Sequence, residues 1–445
     1  MTHTPDFPTG GPHTPDSAPA GPSAPARLSL SRSTAPVTRP SAAGTALRER
    51  ARVALTRGQE AVLGLSHALH ADPELAYEEH RAARRIARLA ERAGFATELG
   101  AFGLPTAVRA TVGTGDLVIG ICAEYDALPG IGHACGHNVN GAASVAAALA
   151  LAPLADELGL TVELLGTPAE ESGGGKVDMI RAGAFDGLDA AMMVHAAPAD
   201  AVGMASLAIS SLDVAYTGVP AHAAAMPHRG INAADAMMIA QVAISAYRQQ
   251  LLPEAVVSGI VTSAGEAANV IPHRSTALYD CRARTSEELD ELRARVRACF
   301  EAGALATGAE LALATVGNDY ADLRQDLAMS AAYREAAEAL GRRPAPADPS
   351  LRAGSTDMGN VSHLLPAIHP TIGYDCGDTI MHHPDFTKYG TTDAADRAVL
   401  DGGLAMAWTA LTLATDPTHR TTLLTRRAER ARERARADRA AGTAA

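Results

Sequence analysis

The stretch G-H-A-C-G-H-N, residues 132–138, places a cysteine and a histidine two positions apart among glycines. Glycines let a backbone wrap tightly, so the side chains of Cys135 and His137 can reach one centre. Thiolate and imidazole are ligand types that zinc prefers. The glycines argue against a helix here, and the Glu of a helical zinc motif is missing between His133 and His137. We therefore interpret the stretch as a metal-binding loop; the alternative is a buried structural cysteine.

Three further polar clusters supply the other groups of a hydrolytic metal site. Glu170 and Glu171 follow an apolar segment and precede three glycines, so one carboxylate can bind metal while its neighbour handles protons. His195 ends another apolar run, a pattern that alone favours a core histidine over a ligand. His382 is adjacent to His383, and either ring can be the one that binds. Together, the four clusters predict a centre with two closely spaced divalent metals.

The composition predicts a large globular protein that does not bind nucleic acid. Hydrophobic residues make up 47% of the 445 residues, charged residues make up 20%, and the formal charge is -12. Phosphate binding would need a surplus of Lys and Arg on one face. The run G-G-G-K at 173–176 does not change this, because Val177 stands where a phosphate loop needs Ser or Thr. The length exceeds the roughly 250–300 residues of a single core, so two folded units are expected.

The cysteines and the lengths of the apolar runs indicate the cellular compartment of the protein. The five cysteines have no short regular spacing, and their odd number leaves at least one unpaired, which favours a reducing environment. The N-terminus lacks a basic stretch followed by an apolar core of signal-peptide length. The apolar run at 144–155 is far short of the ~20 residues that cross a bilayer. We expect a cytoplasmic protein without a membrane segment.

The two ends of the chain differ in character from the middle. Nine of the 26 prolines fall in the first 40 residues, so residues 1–45 are predicted to be a disordered leader. Residues 419–445 are rich in arginine at helix-compatible spacing. This pattern favours a solvated or frayed helix over a binding tail.

Between the ends, the pattern predicts an α/β catalytic domain interrupted by a smaller one. Helical and strand-like segments alternate over 46–206, which favours a largely parallel sheet. Further candidate site residues lie within 318–418, so this segment is predicted to be the second part of the catalytic domain. The intervening residues 207–317 follow a strand-helix-strand-strand-helix order, typical of a ferredoxin-like α+β unit. The predicted elements of the first part are a helical stretch at 46–92 and buried strands at 117–123, 161–166 and 190–194.

The motifs at these positions resemble those of a known family. They are A-E-Y-D-A-L-P-G-I-G-H-A-C-G-H-N at 123–138, G-T-P-A-E-E at 166–171 and S-T-D-M-G-N-V-S at 355–362. They are similar to the aminoacylase, carboxypeptidase and succinyl-diaminopimelate desuccinylase family of zinc metallopeptidases. Within its amidohydrolase branch, p-aminobenzoyl-glutamate hydrolase-like and β-alanyl-lysine dipeptidase-like members are the nearest match. The similarity covers about residues 46–415.

The resemblance implies a centre that holds two divalent metal ions, with zinc expected and manganese or cobalt as alternatives. It assigns Glu170 as the general base and Asp126 as the carboxylate that orients a ligand. Many relatives have aspartate where this chain has Asn138, which implies a change in the groups around the ligands. The metal ligands implied by the resemblance are Cys135, His137, Glu171, His195 and His382.

The resemblance also implies how substrate is held. Asn269 and Arg282 match positions that bind the substrate's carboxylate, and Ser355 and Thr356 match a loop that lines the same pocket. His222 matches a histidine of the smaller domain that reaches the active site of a partner subunit. The smaller domain is therefore expected to serve as a lid and to form a homodimer.

The implied reaction is hydrolysis of an amide next to a free carboxylate, in dipeptides or N-acyl amino acids. Glu170 would take the proton of the attacking water and return it to the leaving amine. Aminobenzoyl-glutamate hydrolysis or deacetylation is an alternative that shares every catalytic residue. A non-catalytic binding homologue is the remaining alternative, but its expected mark, loss of a ligand or of Glu170, is absent.

Overall fold

The computed structural model describes residues 42–346 and 354–442. Most of the predicted leader, residues 1–41, lies outside the described residues. The first helix begins at Ala42, so the last four residues assigned to the leader are helical. The leader boundary was therefore placed slightly too late.

The first part of the chain supplies five strands of a central sheet and the helices beside them. The three apolar runs predicted as strands coincide with β3, β4 and β5 to within two residues, because strands buried on both faces are continuously apolar. The single helical stretch predicted at 46–92 is instead two helices joined by a loop. The elements are α1 (Ala42–Ala71), α2 (His80–Arg92), β1 (Ala96–Leu99), β2 (Val108–Val112), β3 (Leu117–Ala123), α3 (His137–Leu151), β4 (Leu160–Gly166), α4 (Gly175–Arg181), β5 (Ala190–Met192) and β6 (His195–Ala197).

Residues 208–315 form a second sheet, with strand order β10-β7-β9-β8 and every pair antiparallel. Along β9, buried side chains alternate with more exposed ones. The buried face packs with α5 and α6 around a core that includes Tyr216 and Phe300. This order of strands and helices is ferredoxin-like, and its use as a lid or dimer surface stays a prediction. The elements are β7 (Ala208–Thr217), α5 (Ala233–Tyr247), β8 (Val256–Ser263), β9 (Arg274–Ala283), α6 (Ser286–Thr307) and β10 (Glu310–Thr315).

The remaining residues complete the central sheet, whose strand order is β1-β2-β4-β3-β5-β11. The pairs β4–β3, β3–β5 and β5–β11 are parallel, and the two pairs at the β1 edge are antiparallel. The predicted α/β fold with a largely parallel sheet is confirmed. Loops at the carboxyl ends of parallel strands meet at one edge, where sites are built. The elements are α7 (Leu327–Ala339), α8 (Met358–Leu364), β11 (Ala367–Ile368), β12 (Thr371–Gly373), α9 (Asp393–Thr415) and α10 (Pro417–Gly442).

Helices α9 and α10 differ from what the sequence suggested. Helix α9 is long and apolar enough to cross a membrane, but 78% of its most apolar window is buried inside the protein, as in a core helix. Helix α10 is docked rather than simply solvated. Arg420 donates to the carbonyls of Leu158 and Gly159 at 3.1 and 2.9 Å, and Arg427 pairs with the buried Asp189 at 2.8 Å. Long arginine side chains thus attach this helix to strand-end loops.

Candidate metal centre

Segments that follow the parallel strands bring the predicted ligands to one place. Cys135 lies in the loop between β3 and α3, and His137 is the first residue of α3. As expected from the glycines, residues 132–136 are not helical, so His133 and His137 do not form a helical zinc pair, and α3 begins only at His137. Gly136, with φ of 76°, makes the turn into the helix, and a Cβ there would lie 2.4 Å from that of Ala196. His195 begins β6, which pairs in parallel with β12.

The side-chain donors converge although they come from distant parts of the chain. Cys135 Sγ lies 3.7 Å from His195 Nε2 and 3.2 Å from His382 Nε2. Glu171 contributes Oε2 at 3.5 Å from His382 Nε2 and Oε1 at 3.9 Å from His137 Nε2. Cys135 therefore belongs to two groups of three donors, one with both His137 and His195 and the other with both Glu171 and His382. We refer to these five residues as the donor cluster.

The structure brings His382, and not its neighbour, into the donor cluster. His383 is exposed, and its Nδ1 accepts a hydrogen bond from the backbone of Asp385 at 3.2 Å. His382 has a left-handed backbone, with φ of 67°, and its N–H donates to the carbonyl of Ala134 at 2.9 Å. A non-glycine residue rarely adopts this conformation. The strained backbone and its hydrogen bond direct the His382 ring toward Cys135.

Unpaired polar atoms indicate that the donor cluster fits divalent cations. His137 Nε2 and Glu171 Oε1 are buried and have no hydrogen-bond partner among the described residues, although they lie 3.9 Å apart. Buried polar atoms are nearly always paired, so two facing lone-pair donors without hydrogen bonds call for a bound ligand. A sulfur, three imidazoles and a carboxylate form a donor set that suits zinc.

Asp126 holds two members of the cluster. Its Oδ1 accepts from His137 Nδ1 at 3.0 Å, and its Oδ2 accepts from the backbone N–H of Glu171 at 2.9 Å. The proton on Nδ1 leaves the Nε2 lone pair of His137 directed at the cluster. Burial alone would lower the pKa of His137, but the Asp126 carboxylate raises it well above its usual range. Asp126 therefore fixes the orientation of the His137 ring, with Nε2 facing the cluster.

The Cys135 thiol and the Glu170 carboxyl are both buried near other acids. Burial, and then the Glu171 carboxylate, raises the pKa of Cys135 well above its usual range, so a metal must also displace the thiol proton. Burial, and then the charges of Glu124 and Glu171, raises the pKa of Glu170 in the same way. The Glu170 carboxyl lies 3.9 Å from His137 Nε2. Its position and raised pKa suit a group that accepts and returns a proton.

A buried ionic network behind the cluster was not predicted. Lys176 Nζ donates to Glu124 Oε1 and to Asp357 Oδ1, both at 2.6 Å, and all three side chains are fully buried. Asn140 donates to Glu124 Oε2 at 3.3 Å and accepts from the backbone N–H of Ala196 at 2.7 Å. A buried ammonium needs paired acids. The sequence offered one signal of this network. Lys176 follows three glycines, in a protein whose other basic residues are nearly all arginine.

Asn138 does not take part in the surroundings of the ligands. Its Nδ2 donates to Ser66 Oγ at 3.0 Å and to the carbonyl of Gly390 at 2.8 Å. The side chain therefore ties α3 to α1 and to the segment before α9. The Asn138 side chain thus hydrogen-bonds a different part of the domain, and the effect of this substitution on the metal centre stays a prediction.

A cleft of ≈ 680 Å³ opens beside the donor cluster, and it contains some of the predicted substrate groups. Glu170, Arg282 and Ser355 line it, together with Tyr320 from the segment after β10. Arg282 extends from β9 of the second sheet, donates to Ser355 Oγ at 3.4 Å and lies 3.7 Å from Asp280. The cleft is thus lined on one side by the Arg282 guanidinium of the second sheet and on the other by the Glu170 and Glu171 carboxylates of the catalytic domain.

Other predicted substrate residues lie elsewhere. Thr356 is buried, and its Oγ1 accepts from the backbone of Met358 at 3.2 Å, so its hydroxyl supports the start of α8 rather than the cleft wall. Asn269 and His222 are exposed on loops of the second sheet and fall outside the described lining of the cleft. The backbone of Ala223 donates to the Asn269 carbonyl at 3.0 Å. The two loops are therefore neighbours, and Asn269 does not reach the Arg282 cleft of its own chain.

Comparison with known proteins places the chain in a family. It belongs to peptidase family M20/M25/M40, whose model matches residues 120–388. It is 38% identical over 399 residues to a Xaa-Arg dipeptidase of Mus musculus, which covers 84% of this chain and 92% of the relative. It is 34% identical over 258 residues to a p-aminobenzoyl-glutamate hydrolase subunit of Escherichia coli (strain K12), or 53% of each chain.

Solved structures agree with the fold. A dinuclear metal-binding peptidase of family M20 from Bacillus subtilis superposes with a TM-score of 0.63 at 24% identity, over 80% of this chain and 99% of that one. The family that the motifs resembled is thus confirmed. The chain is a metal-dependent hydrolase of amide bonds.

Proposed function

We propose that this hydrolase is a dipeptidase that uses two divalent metal ions to cleave dipeptides with a free carboxylate and a basic C-terminal residue. The observation that carries the proposal is a single cleft lined by every member of the donor cluster except His137, together with the Glu170 carboxylate and the Arg282 guanidinium. The preference for a basic residue is supported by the 38% identity to a Xaa-Arg dipeptidase over most of both chains.

We assign a step of the reaction to each of these groups. Metal ions held by the donor cluster would lower the pKa of a water molecule and polarise the substrate carbonyl. Glu170 takes the proton of the attacking water and returns it to the nitrogen of the leaving amine. Arg282 binds the substrate carboxylate through paired hydrogen bonds, which aligns the amide with Glu170. Asp126 keeps the Nδ1 proton of His137 in place throughout.

The donor set supports the number and kind of metal that we propose. The five residues form two three-donor groups, and each group would hold one divalent ion. The dinuclear peptidase with a similar fold supports the same number. Zinc is the ion that we propose, since thiolate and imidazole suit it better than magnesium or calcium, with manganese and cobalt as the ions to compare. Elemental analysis of the purified protein, followed by reconstitution with each ion, tests this assignment.

We propose a homodimer formed through the second sheet, with His222 and Asn269 of one subunit completing the cleft of the other. Met238 and Val242 support this arrangement, because they are four residues apart on α5, on one face of the helix, and both are exposed. Strand β8 lies at the edge of its sheet and offers unpaired backbone groups. The five free cysteines support a cytoplasmic, reducing location.

A substrate panel tests the proposed activity. Metal-reconstituted protein is incubated with dipeptides that end in Arg, Lys, Leu or Glu, with their C-terminal amides, with N-acetyl amino acids and with p-aminobenzoyl-glutamate. We expect the highest kcat/KM for dipeptides that end in Arg or Lys, and little hydrolysis of the amides. The 34% identity to a p-aminobenzoyl-glutamate hydrolase makes that compound the second candidate. A higher kcat/KM for it than for every dipeptide would replace our proposal with the alternative.

A further inference from the structure

The backbone just before Glu170 is held in an unfavourable conformation. Ala169 has φ of 60° and is fully buried, and it is one of four described non-glycine residues with positive φ. An alanine rarely adopts this left-handed region, because its Cβ crowds the backbone. Such strain persists only where surrounding contacts enforce it, and it concentrates at functional sites. The contacts that hold Ala169 in the left-handed conformation therefore also help to orient the next residue, Glu170.

Contacts on both sides hold this residue: the Ala169 carbonyl accepts from the N–H groups of Gly174 and Gly175 at 2.9 and 3.2 Å within its own loop, and the Ala169 N–H donates to Glu79, ninety residues earlier in the chain. Glu79 is fully buried, and its Oε1 accepts a hydrogen bond from the backbone N–H of Ala169 at 2.8 Å. The position of Glu79 directly before α2 does not explain its burial, because Glu74 supplies the cap of that helix. Oε2 of Glu74 accepts from the N–H groups of Arg81 and Ala82 at 2.7 and 2.8 Å. Burying a carboxylate is costly, so the Ala169 contact calls for a functional explanation.

A second contact joins the same two loops. Tyr77, also with positive φ at 63°, packs its ring against Gly173, where an added Cβ would lie 2.4 Å from Cε2 of the ring. The Tyr77 hydroxyl donates to Asp178 Oδ2 at 2.7 Å. The loop between α1 and α2 therefore supports the Glu170 loop on both sides of Glu170, through Glu79 before it and Tyr77 after it.

We propose that Glu79 is a positioning residue that orients Glu170 through the strained Ala169 peptide; this inference rests on the proposed function. The other side-chain contacts to the peptides of Glu170 and Glu171 come from groups with further roles. Tyr320 donates to the Glu170 carbonyl at 2.6 Å but lines the cleft, and Asp126 binds the Glu171 N–H but also His137. Glu79 is outside the described lining of the cleft and the donor cluster, so its effect on catalysis passes through the loop backbone.

Substitutions at Glu79 separate positioning from packing. Glu79→Leu keeps the volume but removes the acceptor, and Glu79→Asp keeps the charge but is one methylene too short to reach Ala169. In both variants we expect kcat to fall by about 10- to 100-fold with KM within about threefold, since small displacements of a catalytic group have effects of this size. The metal content should stay at the wild-type value. Glu79→Gln, which retains an oxygen acceptor, should keep most of the activity.

Glu74→Gln is the matched control, because it alters a buried carboxylate of the same loop that caps α2 and pairs with Arg81. It should lower the melting temperature while kcat stays within about threefold. Adding Ala169→Gly to Glu79→Leu should restore kcat at least partly, since glycine adopts the left-handed conformation without strain. If Glu79→Leu does not fold, Glu79→Asp carries the same test.

Amide hydrogen exchange provides a readout that does not depend on turnover. In metal-free protein, the segment 167–175 should exchange faster in Glu79→Leu and Glu79→Asp than in wild type, while Glu74→Gln leaves it unchanged. Unchanged exchange together with kcat within about threefold of an active wild type would overturn the positioning role. A kcat loss that Glu74→Gln reproduces would also overturn it. A wild-type protein that hydrolyses no dipeptide contradicts the proposed function, and exchange alone then decides whether Glu79 anchors the loop.

Discussion

The sulfur of Cys135 lies 3.2 Å from Nε2 of His382, although 247 residues separate them in the chain. The contact places a buried thiol beside an imidazole at the point that two groups of candidate ligands share. Because burial keeps this thiol protonated, its conversion to a metal-binding thiolate depends on the cation itself. Occupancy of the centre should therefore respond strongly to the chemistry of this one atom.

Cys135→Ser should remove or weaken at least one metal ion, because a hydroxyl keeps its proton where a thiolate would bind. Elemental analysis after dialysis against a weak chelator measures the occupancy. Cys281→Ser is the control, since Cys281 is also buried but lies in the core of the second sheet. Full occupancy in Cys135→Ser would mean that Cys135 is a structural residue.

Glu170→Gln should lower kcat by about 10²- to 10⁴-fold while the metal content stays the same, because an amide cannot accept the proton of the attacking water. Glu171→Gln is the matched comparison and should lose metal, since Glu171 contributes an oxygen to the donor cluster. Steady-state kinetics and elemental analysis of both variants distinguish the two roles. Metal loss in Glu170→Gln with retained metal in Glu171→Gln would reverse the assignments.

Arg282→Ala should raise KM about 10- to 100-fold for dipeptides with a free carboxylate, because a charge-assisted hydrogen-bonding partner is lost from the cleft. An amidated analogue, already a poor substrate, should be hardly affected. Arg284→Ala is the control, since Arg284 lies two residues further along and pairs with Glu288 on the surface. Equal losses on both substrates would make Arg282 a structural residue.

His222→Ala should lower kcat by about 10²- to 10³-fold without loss of metal, if the ring donates a hydrogen bond to the reacting oxygen in the partner's cleft. His228→Ala, on the same exposed segment, should have little effect. Mixing His222→Ala subunits with Glu170→Gln subunits should restore activity that neither parent has, because one intact site forms in each mixed dimer. Mixtures that stay inactive after verified subunit exchange would exclude action across the dimer.

The stability of the metal-free protein should depend on pH through Glu79. Burial, and then the charge of Asp126, raises the pKa of Glu79 to about 7 from the ordinary value of 4.5. Its contribution to the free energy of unfolding is therefore fully present below about pH 4.5 and is lost as the pH rises to about 7. Glu79→Gln stays neutral, so it should gain stability relative to wild type across this range, by an upper bound of roughly 3 kcal/mol. Urea unfolding at a series of pH values measures the difference in stability between Glu79→Gln and wild type. A difference that does not change with pH would refute the raised pKa of Glu79.

Several parts of the fold could be predicted because they depend on local pattern. Strand β3 is a continuous apolar run, β4 is an apolar run interrupted only by Thr161 and Glu163, and the second sheet has clear strand and helix periods. Strand β10 was missed because its short sequence, E-L-A-L-A-T, stays largely exposed and carries little pattern. The docking of α10 was missed because Arg420 binds carbonyl groups of a turn more than 250 residues away. Sequence reveals the donor side chains but not which backbone oxygens they will meet.

For the candidate site, the kinds of donor, the motifs that contain them and the family could be recognised without a structure. They follow from residue type and short spacing, which the chain carries locally. The folded arrangement was needed to show that His382 rather than His383 joins Cys135, that Asn138 points away, and that Lys176 is buried between two acids. Each of these outcomes depends on distances between segments that are far apart in sequence. Such distances are set by how the sheet edge, the helices and the loops pack together, so no local pattern contains them.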